Sequence, residues 1–174
     1  MAYQRKGNIK LAESSFKMSE KLNNKSDLLY YNYAVLLNDN ERSEEALSKI
    51  DMAIKLNNKN ADYYNKKGDI LYSLSNFEEA KIAYLSVLEI DSYSAKTYSN
   101  LGLVCSKLGE IKNAIKYDTK AINMQFDLQT TLVNRATSFL RINNRDAACS
   151  DLVKAYNLGR SDIVPLINQY CKAN

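Results

Sequence analysis

Histidine is absent from this 174-residue sequence, and only three cysteines and five glycines are present. Without an imidazole, the chain has no Ser-His or Cys-His couple, no histidine metal ligand and no ordinary side-chain base titrating near neutral pH. Cys105, Cys149 and Cys171 are too widely spaced for a zinc ribbon, and the glycines stand singly, so no Gly-rich phosphate loop is present. These absences argue against an enzyme and predict neither a cofactor nor a metal.

Long apolar runs are missing as well. No stretch is long enough to cross a membrane, and the opening residues MAYQRKGNIK lack a signal-type apolar segment. We therefore expect a cytoplasmic location, with a periplasmic one open if the chain is part of a longer parent. The formal net charge is only +4. Its lysines lie among acidic residues, so the sequence does not predict a nucleic-acid partner.

The sequence repeats itself every 34 residues. This step joins five alanines in one register: Ala12, Ala46, Ala80, Ala114 and Ala148. Small residues recur seven positions further on and apolar ones ten positions further on. The first half of the unit repeats too, with tyrosine at Tyr30, Tyr64 and Tyr98 and glycine at Gly68 and Gly102. Repeats with this period are typical of helical arrays.

Each half of the unit is predicted to be one amphipathic helix, because its apolar residues recur three, four and seven apart. Turn formers separate the halves, at Gly7-Asn8, Ser75-Asn76, Gly109-Glu110 and Asn143-Asn144. A single short helix pair cannot bury its apolar face, so the pairs must stack on their neighbours. The sequence therefore predicts an all-α fold, an α-solenoid of antiparallel helix pairs.

The pattern resembles the tetratricopeptide repeat, with features of its bacterial members. The unit 95–128 carries it well, with Tyr98, Leu101, Gly102, Ala114 and Ala121 at the family's offsets. The resemblance implies that the helix pairs wind as a right-handed superhelix. It also implies a single array over 1–174: an incomplete repeat at 1–26, complete repeats at 27–60, 61–94, 95–128 and 129–162, and a capping helix at 162–173.

Two departures from the family pattern stand out. The proline near the end of the family's unit is missing, so Asn-type turns must end the repeats. Asp118 occupies a place where Phe16, Ile50, Tyr84 and Leu152 pack in the other copies. We expect a local adjustment of the helix that carries Asp118.

The resemblance implies a scaffold that binds a protein or an extended peptide in a concave groove lined by the first helix of each pair. The groove positions that it implies include Tyr31, Asn32, Asn65, Lys66, Asp69, Lys96, Asn100, Leu103, Asn134 and Arg141. Asp39, Asp62, Ser106, Lys107 and Thr137 fall on the same set of positions.

Asparagine recurs at one groove position, in Asn32, Asn100 and Asn134. A ladder of amides can grip a peptide backbone, because an amide both donates and accepts hydrogen bonds. The alternative is that these side chains only face solvent in an asparagine-rich chain. One subfamily binds chaperone tails through a basic carboxylate clamp. Tyr31 and Val35 stand at the first two clamp places, so we do not predict this binding.

The first repeat is incomplete, which predicts partial exposure of Leu11, Phe16 and Leu22. Such an edge suits contact with upstream sequence or with a second copy, so self-association as a homodimer is the alternative function. A frayed end in a monomer is the simpler interpretation.

The cysteines divide into two groups. Cys105 falls at a registered core position and is predicted to be a small buried hydrophobe. The stretch around Cys149, followed by Cys171 near the chain end, looks like the last repeat of many bacterial members of the family. That likeness implies neighbouring cysteines and a candidate disulfide, which would indicate an oxidising compartment. Two reduced cysteines in a cytoplasmic protein remain the alternative.

Overall fold

A computed structural model describes residues 2–22 and 26–171, with side chains from residue 10 onward. Within these residues the secondary structure is entirely helical, which confirms the predicted all-α class. The ten α-helices are α1 (Ala2–Lys21), α2 (Asp27–Asn38), α3 (Ser43–Leu56), α4 (Ala61–Ser73), α5 (Phe77–Ile90), α6 (Ala95–Lys107), α7 (Ile111–Asn123), α8 (Leu128–Arg141), α9 (Arg145–Asn157) and α10 (Val164–Tyr170). A short 3-10 helix, Ser161–Ile163, precedes α10.

The helices form four contacting pairs, α2 with α3, α4 with α5, α6 with α7 and α8 with α9. The first three pairs lie within residues 27–60, 61–94 and 95–128, and the fourth, α8 with α9, begins one residue before position 129. The chain divides into two compact units, Met1–Ile90 and Asp91–Asn174, each of which holds two of these pairs. Within the units, α3 packs on α4 and α7 packs on α8, so neighbouring repeats share a core.

The turn inside every pair has the same geometry. Glu41, Ser75, Gly109 and Asn143, again 34 residues apart, all have positive φ angles, between 58° and 78°. The next residue then donates its backbone N–H to a carbonyl five residues earlier, as Glu110 does to Cys105 at 2.8 Å. Only Gly109 adopts this left-handed conformation without the steric cost that a Cβ imposes.

Asparagine, serine and aspartate cap the helices in place of the missing proline. The side chains of Ser26, Asn60, Asp127 and Asn144 each accept a hydrogen bond from a backbone N–H in the first turn of α2, α4, α8 and α9. Asp27 adds a link between repeats, because its Oδ2 accepts hydrogen bonds from Asn57 Nδ2 at 2.9 Å and Tyr63 Oη at 3.0 Å. Those two bonds lower the pKa of Asp27.

The registered alanines lie where helices meet. Ala46, Ala80, Ala114 and Ala148 are fully buried, whereas Ala12 in α1 is half-buried. Gly68 lies against the ring of Tyr84, so close that a Cβ on Gly68 would stand 2.5 Å from Cε1. Gly102 faces the carboxyl group of Asp118 in the same way. The small residues therefore set how closely the two helices of a pair approach.

The predicted turn at Gly7-Asn8 is wrong, because both residues lie inside α1. Glycine and asparagine weaken a helix by about 1 kcal/mol or less each, which is not enough to end one. Phe16 of α1 stacks on Tyr33 with ring centroids 4.8 Å apart. Leu11 and Met18 on α1 and Leu22 just after it are 69%, 60% and 75% exposed. Phe16 is half-buried, so the predicted partial exposure of this edge is present.

The C-terminal helix covers the last pair. Ile163 is buried in the core of α8 and α9, and Leu166 and Ile167 pack against that core. Pro165 lies in the first turn of α10, where its missing N–H has no helical partner to lose. A 3-10 turn followed by α10, up to Tyr170, lies in the range of the predicted capping helix. Residues 172–174 lie outside the described residues.

Candidate functional site

The predicted groove residues of the first unit lie on α2 and α4. Tyr31 stacks on Tyr63 with ring centroids 5.1 Å apart, and burial raises the pKa of Tyr31. Asn32 is exposed, whereas Asn65 and Lys66 on α4 are half-buried. The aromatic pair joins α2 to α4 and leaves Asn32 accessible to solvent.

Asp69 has a structural contact at its predicted groove position. Its Oδ1 accepts a hydrogen bond from Tyr84 Oη at 2.7 Å, which ties α4 to α5. Burial, reinforced by the neighbouring Asp69 carboxylate, strongly raises the pKa of Tyr84. Tyr84 thus keeps its proton and remains a hydrogen-bond donor. Asp69 therefore stabilises the helix pair in addition to occupying a predicted groove position.

A cavity of about 300 Å³ lies between α6 and α8 in the second unit, and it brings several predicted groove residues together. It is lined by Leu103, Ser106, Lys107, Asn134, Thr137 and Arg141. All six fall at groove positions that the repeat register implies. Arg141 Nη1 donates to the backbone oxygen of Ser106, and its distance to Ser106 Oγ is 3.3 Å, so the guanidinium bridges the two helices.

Lys96 and Asn100 lie on α6, closer to its N-terminus than the residues that line this cavity, and are not among the lining residues. Lys96 is exposed in the first turn, and Asn100 is half-buried. Asn100 and Asn134 hold the same register on α6 and α8, in keeping with their 34-residue spacing. The ladder of asparagines stays a prediction, with Asn32 in the first unit and Asn100 and Asn134 in the second.

A second cavity, of about 470 Å³, lies on the first unit and was not predicted, because only the first helix of each pair was considered as a binding surface. Its lining comes from α3, α4, α5 and the turn before α5. An ion pair crosses it, with Lys67 Nζ 2.7 Å from Asp51 Oδ1, and Ile82 is 64% exposed at its edge. The period-3.6 pattern does not distinguish such a surface from an ordinary solvated face.

Three ionisable residues lie together in the second unit, with Asp118 and Asp151 buried and Arg135 half-buried. Arg135 on α8 binds both carboxylate oxygens of Asp151 on α9 at 2.8 Å, and its Nη1 donates to Thr119 Oγ1 at 3.0 Å. Asp118 is 1% exposed, and neither of its carboxylate oxygens has a hydrogen-bond partner among the described residues. Burial raises the pKa of Asp118 to about 8, against the opposing effect of Arg135. The expected adjustment of the helix is absent, because α7 runs without interruption through Asp118.

The cysteines lie at the end of the second unit. Cys149 and Cys171 are joined as a disulfide between α9 and the end of α10, with Cα atoms 5.4 Å apart. Cys105 is fully buried on α6, at its predicted core position.

Among the residues whose positions are described, no His, Cys, Asp and Glu side chains cluster as a metal site would require. Across the same residues, no helix combines the length and the apolar character needed to span a membrane.

Comparison with known proteins identifies the type of fold. Residues 51–125 match the family model described as tetratricopeptide repeat. The search of curated proteins found no match. A crystal structure of MamA is 19% identical and has a TM-score of 0.82, with 88% of this chain and 90% of that chain covered.

Two further solved structures show the same likeness. MamA from Desulfovibrio magneticus RS-1 (41-end) is 16% identical with a TM-score of 0.73, covering 88% of this chain and 96% of that one. PilF from Pseudomonas aeruginosa is 19% identical with a TM-score of 0.76, covering 91% of this chain and 72% of that one. At these identities the likeness establishes the fold alone, a helical-repeat solenoid.

Proposed function

We propose that this chain, in which residues 51–125 match the tetratricopeptide-repeat model, is a protein-interaction module and binds an extended peptide segment of another protein along the first helices of its pairs. The cavity between α6 and α8 is the observation that carries the proposal. All of its lining residues occupy the groove register, and their side chains offer donors, acceptors and an apolar surface together.

Asn134 is central to this binding. Its amide makes no hydrogen bond with any other residue of the described chain, and it lines the cavity beside Leu103. An amide can donate to a peptide carbonyl and accept from a peptide N–H, so it recognises an extended backbone whatever its side chains. The half-buried Leu103 adds apolar surface that a bound peptide would remove from water.

The proposal is tested by affinity capture from native lysate with three baits. They are the parent, the groove variant Lys66→Ala/Asn100→Ala/Asn134→Ala, and a matched control, Lys112→Ala/Asn123→Ala/Asn168→Ala. The control makes the same kinds of change on exposed positions of α7 and α10. A partner that the parent and the control retain and the groove variant loses supports the proposal. A partner retained equally by all three contradicts groove binding.

Self-association is a second candidate, favoured by an exposed apolar stripe formed by Leu11 and Met18 on α1 and by Leu22 just after it. Leu11 and Met18 are seven residues apart, so they lie on one side of the helix. A second copy of α1 would cover this stripe. Light scattering on a sizing column tests it: Leu11→Glu/Met18→Glu should turn a dimer into a monomer, and a parent that is monomeric at every concentration excludes it.

A further inference from the structure

We propose that the cavity between α6 and α8 is a subsite for an acidic side chain, an aspartate or glutamate of the bound peptide. This inference rests on the proposed peptide-binding function and specifies the chemistry of the partner at one position.

The charges around the cavity are of one sign. Lys107 and Arg141 are its two ionisable lining residues, and no carboxylate is among the residues that line it. Lys107 forms no ion pair with any other residue in the described ranges. One nitrogen of Arg141, Nη1, donates hydrogen bonds to Ser106. Its Nε and Nη2 have no acceptor among the described residues, so these donors are available to a ligand carboxylate.

The contact with Ser106 also fixes the position of the Arg141 guanidinium. Long basic side chains lose conformational entropy when they bind a ligand, and that loss opposes binding. Arg141 is already held across the two helices by Ser106, so less of its freedom remains to be lost. A planar guanidinium held in this way suits a planar carboxylate, which accepts two parallel N–H bonds.

The neutral lining residues fit an acidic side chain better than a bare anion. Leu103 presents apolar surface for the methylene groups of Asp or Glu, and the Asn134 amide can donate to a carboxylate oxygen. The volume of about 300 Å³ lies at the small end of ligand sites, which suits a side chain rather than a larger molecule.

The positive charge is particular to this part of the repeat array. At the thirteenth position of the 34-residue repeat, the two repeats of the second compact unit carry Lys107 and Arg141. The two repeats of the first compact unit carry Asp39 and Ser73 there. Asp62 and Asp69 also belong to the groove positions of the first unit, where Lys66 is the lone cation among them. An acidic residue of a peptide is therefore favoured at the α6–α8 cavity and disfavoured at the corresponding places on α2 and α4.

A positional-scanning library of random peptides, amidated at the C-terminus, tests the subsite. Amidation leaves Asp and Glu side chains as the only peptide carboxylates. Peptides selected by the parent should carry an acidic residue at one position, and replacing it by Asn or Gln should weaken binding roughly tenfold. Raising the salt concentration should reduce this difference.

Three variants complete the experiment. Lys107→Glu, which reverses the charge of an exposed side chain that lines the cavity, should abolish the acidic preference. Arg141→Met should weaken it. Lys112→Glu/Arg145→Met, which makes the same two kinds of change at exposed positions on α7 and α9, should leave it unchanged. Enrichment of peptides with no acidic preference would overturn the subsite but not peptide binding. Failure to select any peptide, with the parent folded by circular dichroism, would overturn the proposed function itself.

Discussion

The guanidinium of Arg135 binds both carboxylate oxygens of Asp151 at 2.8 Å, and the side chains of the two residues are 16% and 3% exposed. The pair joins α8 to α9 inside a core that is otherwise built mainly from alanine and leucine. Two parallel hydrogen bonds offset much of the cost of removing the charges from water, so each residue depends on the other.

Replacing Arg135 alone should therefore destabilise the second unit strongly. Arg135→Met leaves the buried Asp151 carboxylate without its partner, and we expect a loss of about 3–5 kcal/mol in the free energy of unfolding. Urea denaturation followed by circular dichroism measures it. The double variant Arg135→Met/Asp151→Leu removes both charges and should recover much of the loss. A double variant as unstable as the sum of the two single variants would contradict this coupling.

Asp118 should make stability depend on pH in an unusual direction. Its pKa is raised from 3.8 to about 8 in the folded chain, so between these values the folded state holds a proton that the unfolded state has released. The unfolding free energy should then fall as pH rises through this range, by up to about 1.4 kcal/mol per unit. The charges of Arg135 on α8 and Asp151 on α9 act on the same carboxyl group in opposite directions, Arg135 lowering its pKa and Asp151 raising it.

The measurement is urea denaturation of the parent and of Asp118→Asn across this pH range. Asparagine has nearly the same shape and does not titrate, so the variant should lose the downward slope that Asp118 contributes. Since the other titrating groups are shared, the difference between the two profiles isolates Asp118. Parallel profiles would mean that Asp118 stays ionised in the folded state.

Tyr84 and Asp118 occupy the same position of the repeat, and they differ in what the sequence alone could predict. The 34-residue period was enough to predict the helix pairs, the packing of alanines such as Ala80 and Ala114, and the unusual place of Asp118. It could not predict how Asp118 is accommodated, because the answer depends on residues distant in sequence. Asp118 faces Gly102 while α7 continues unbroken, and Arg135 is committed to Asp151.

The candidate site shows the same division. The repeat register placed Leu103, Asn134 and Arg141 on a common surface, and the structure brings them around one cavity. The register did not indicate that Asp69 would bind Tyr84, or that Arg141 would hold Ser106. Those contacts depend on the lengths and directions of side chains on different helices, which spacing along the chain does not encode.

Gly68 should tolerate no larger residue while Tyr84 is present. A Cβ at Gly68 would stand 2.5–2.7 Å from three atoms of the Tyr84 ring, so Gly68→Ala must push α4 away from α5 or displace the ring. We expect a loss of about 1–3 kcal/mol by overpacking. Thermal unfolding of a double-mutant cycle with Tyr84→Leu tests the cause. If the ring is responsible, Gly68→Ala should cost much less in the Tyr84→Leu background.

The disulfide between Cys149 and Cys171 should stabilise the end of the second unit under oxidising conditions. It closes a segment with a sequence separation of 22 residues, and a bond of that span contributes about 3 kcal/mol by restricting the unfolded chain. Cys149→Ser/Cys171→Ser should be less stable than the parent by about this amount without reductant, and nearly equal to it when reductant is present. Alkylation in denaturant gives an independent check: the oxidised parent should label at Cys105 alone, and after reduction at all three cysteines. Labelling of three thiols in the oxidised parent would show that α10 is held on α9 by Ile163, Leu166 and Ile167 without a covalent bond.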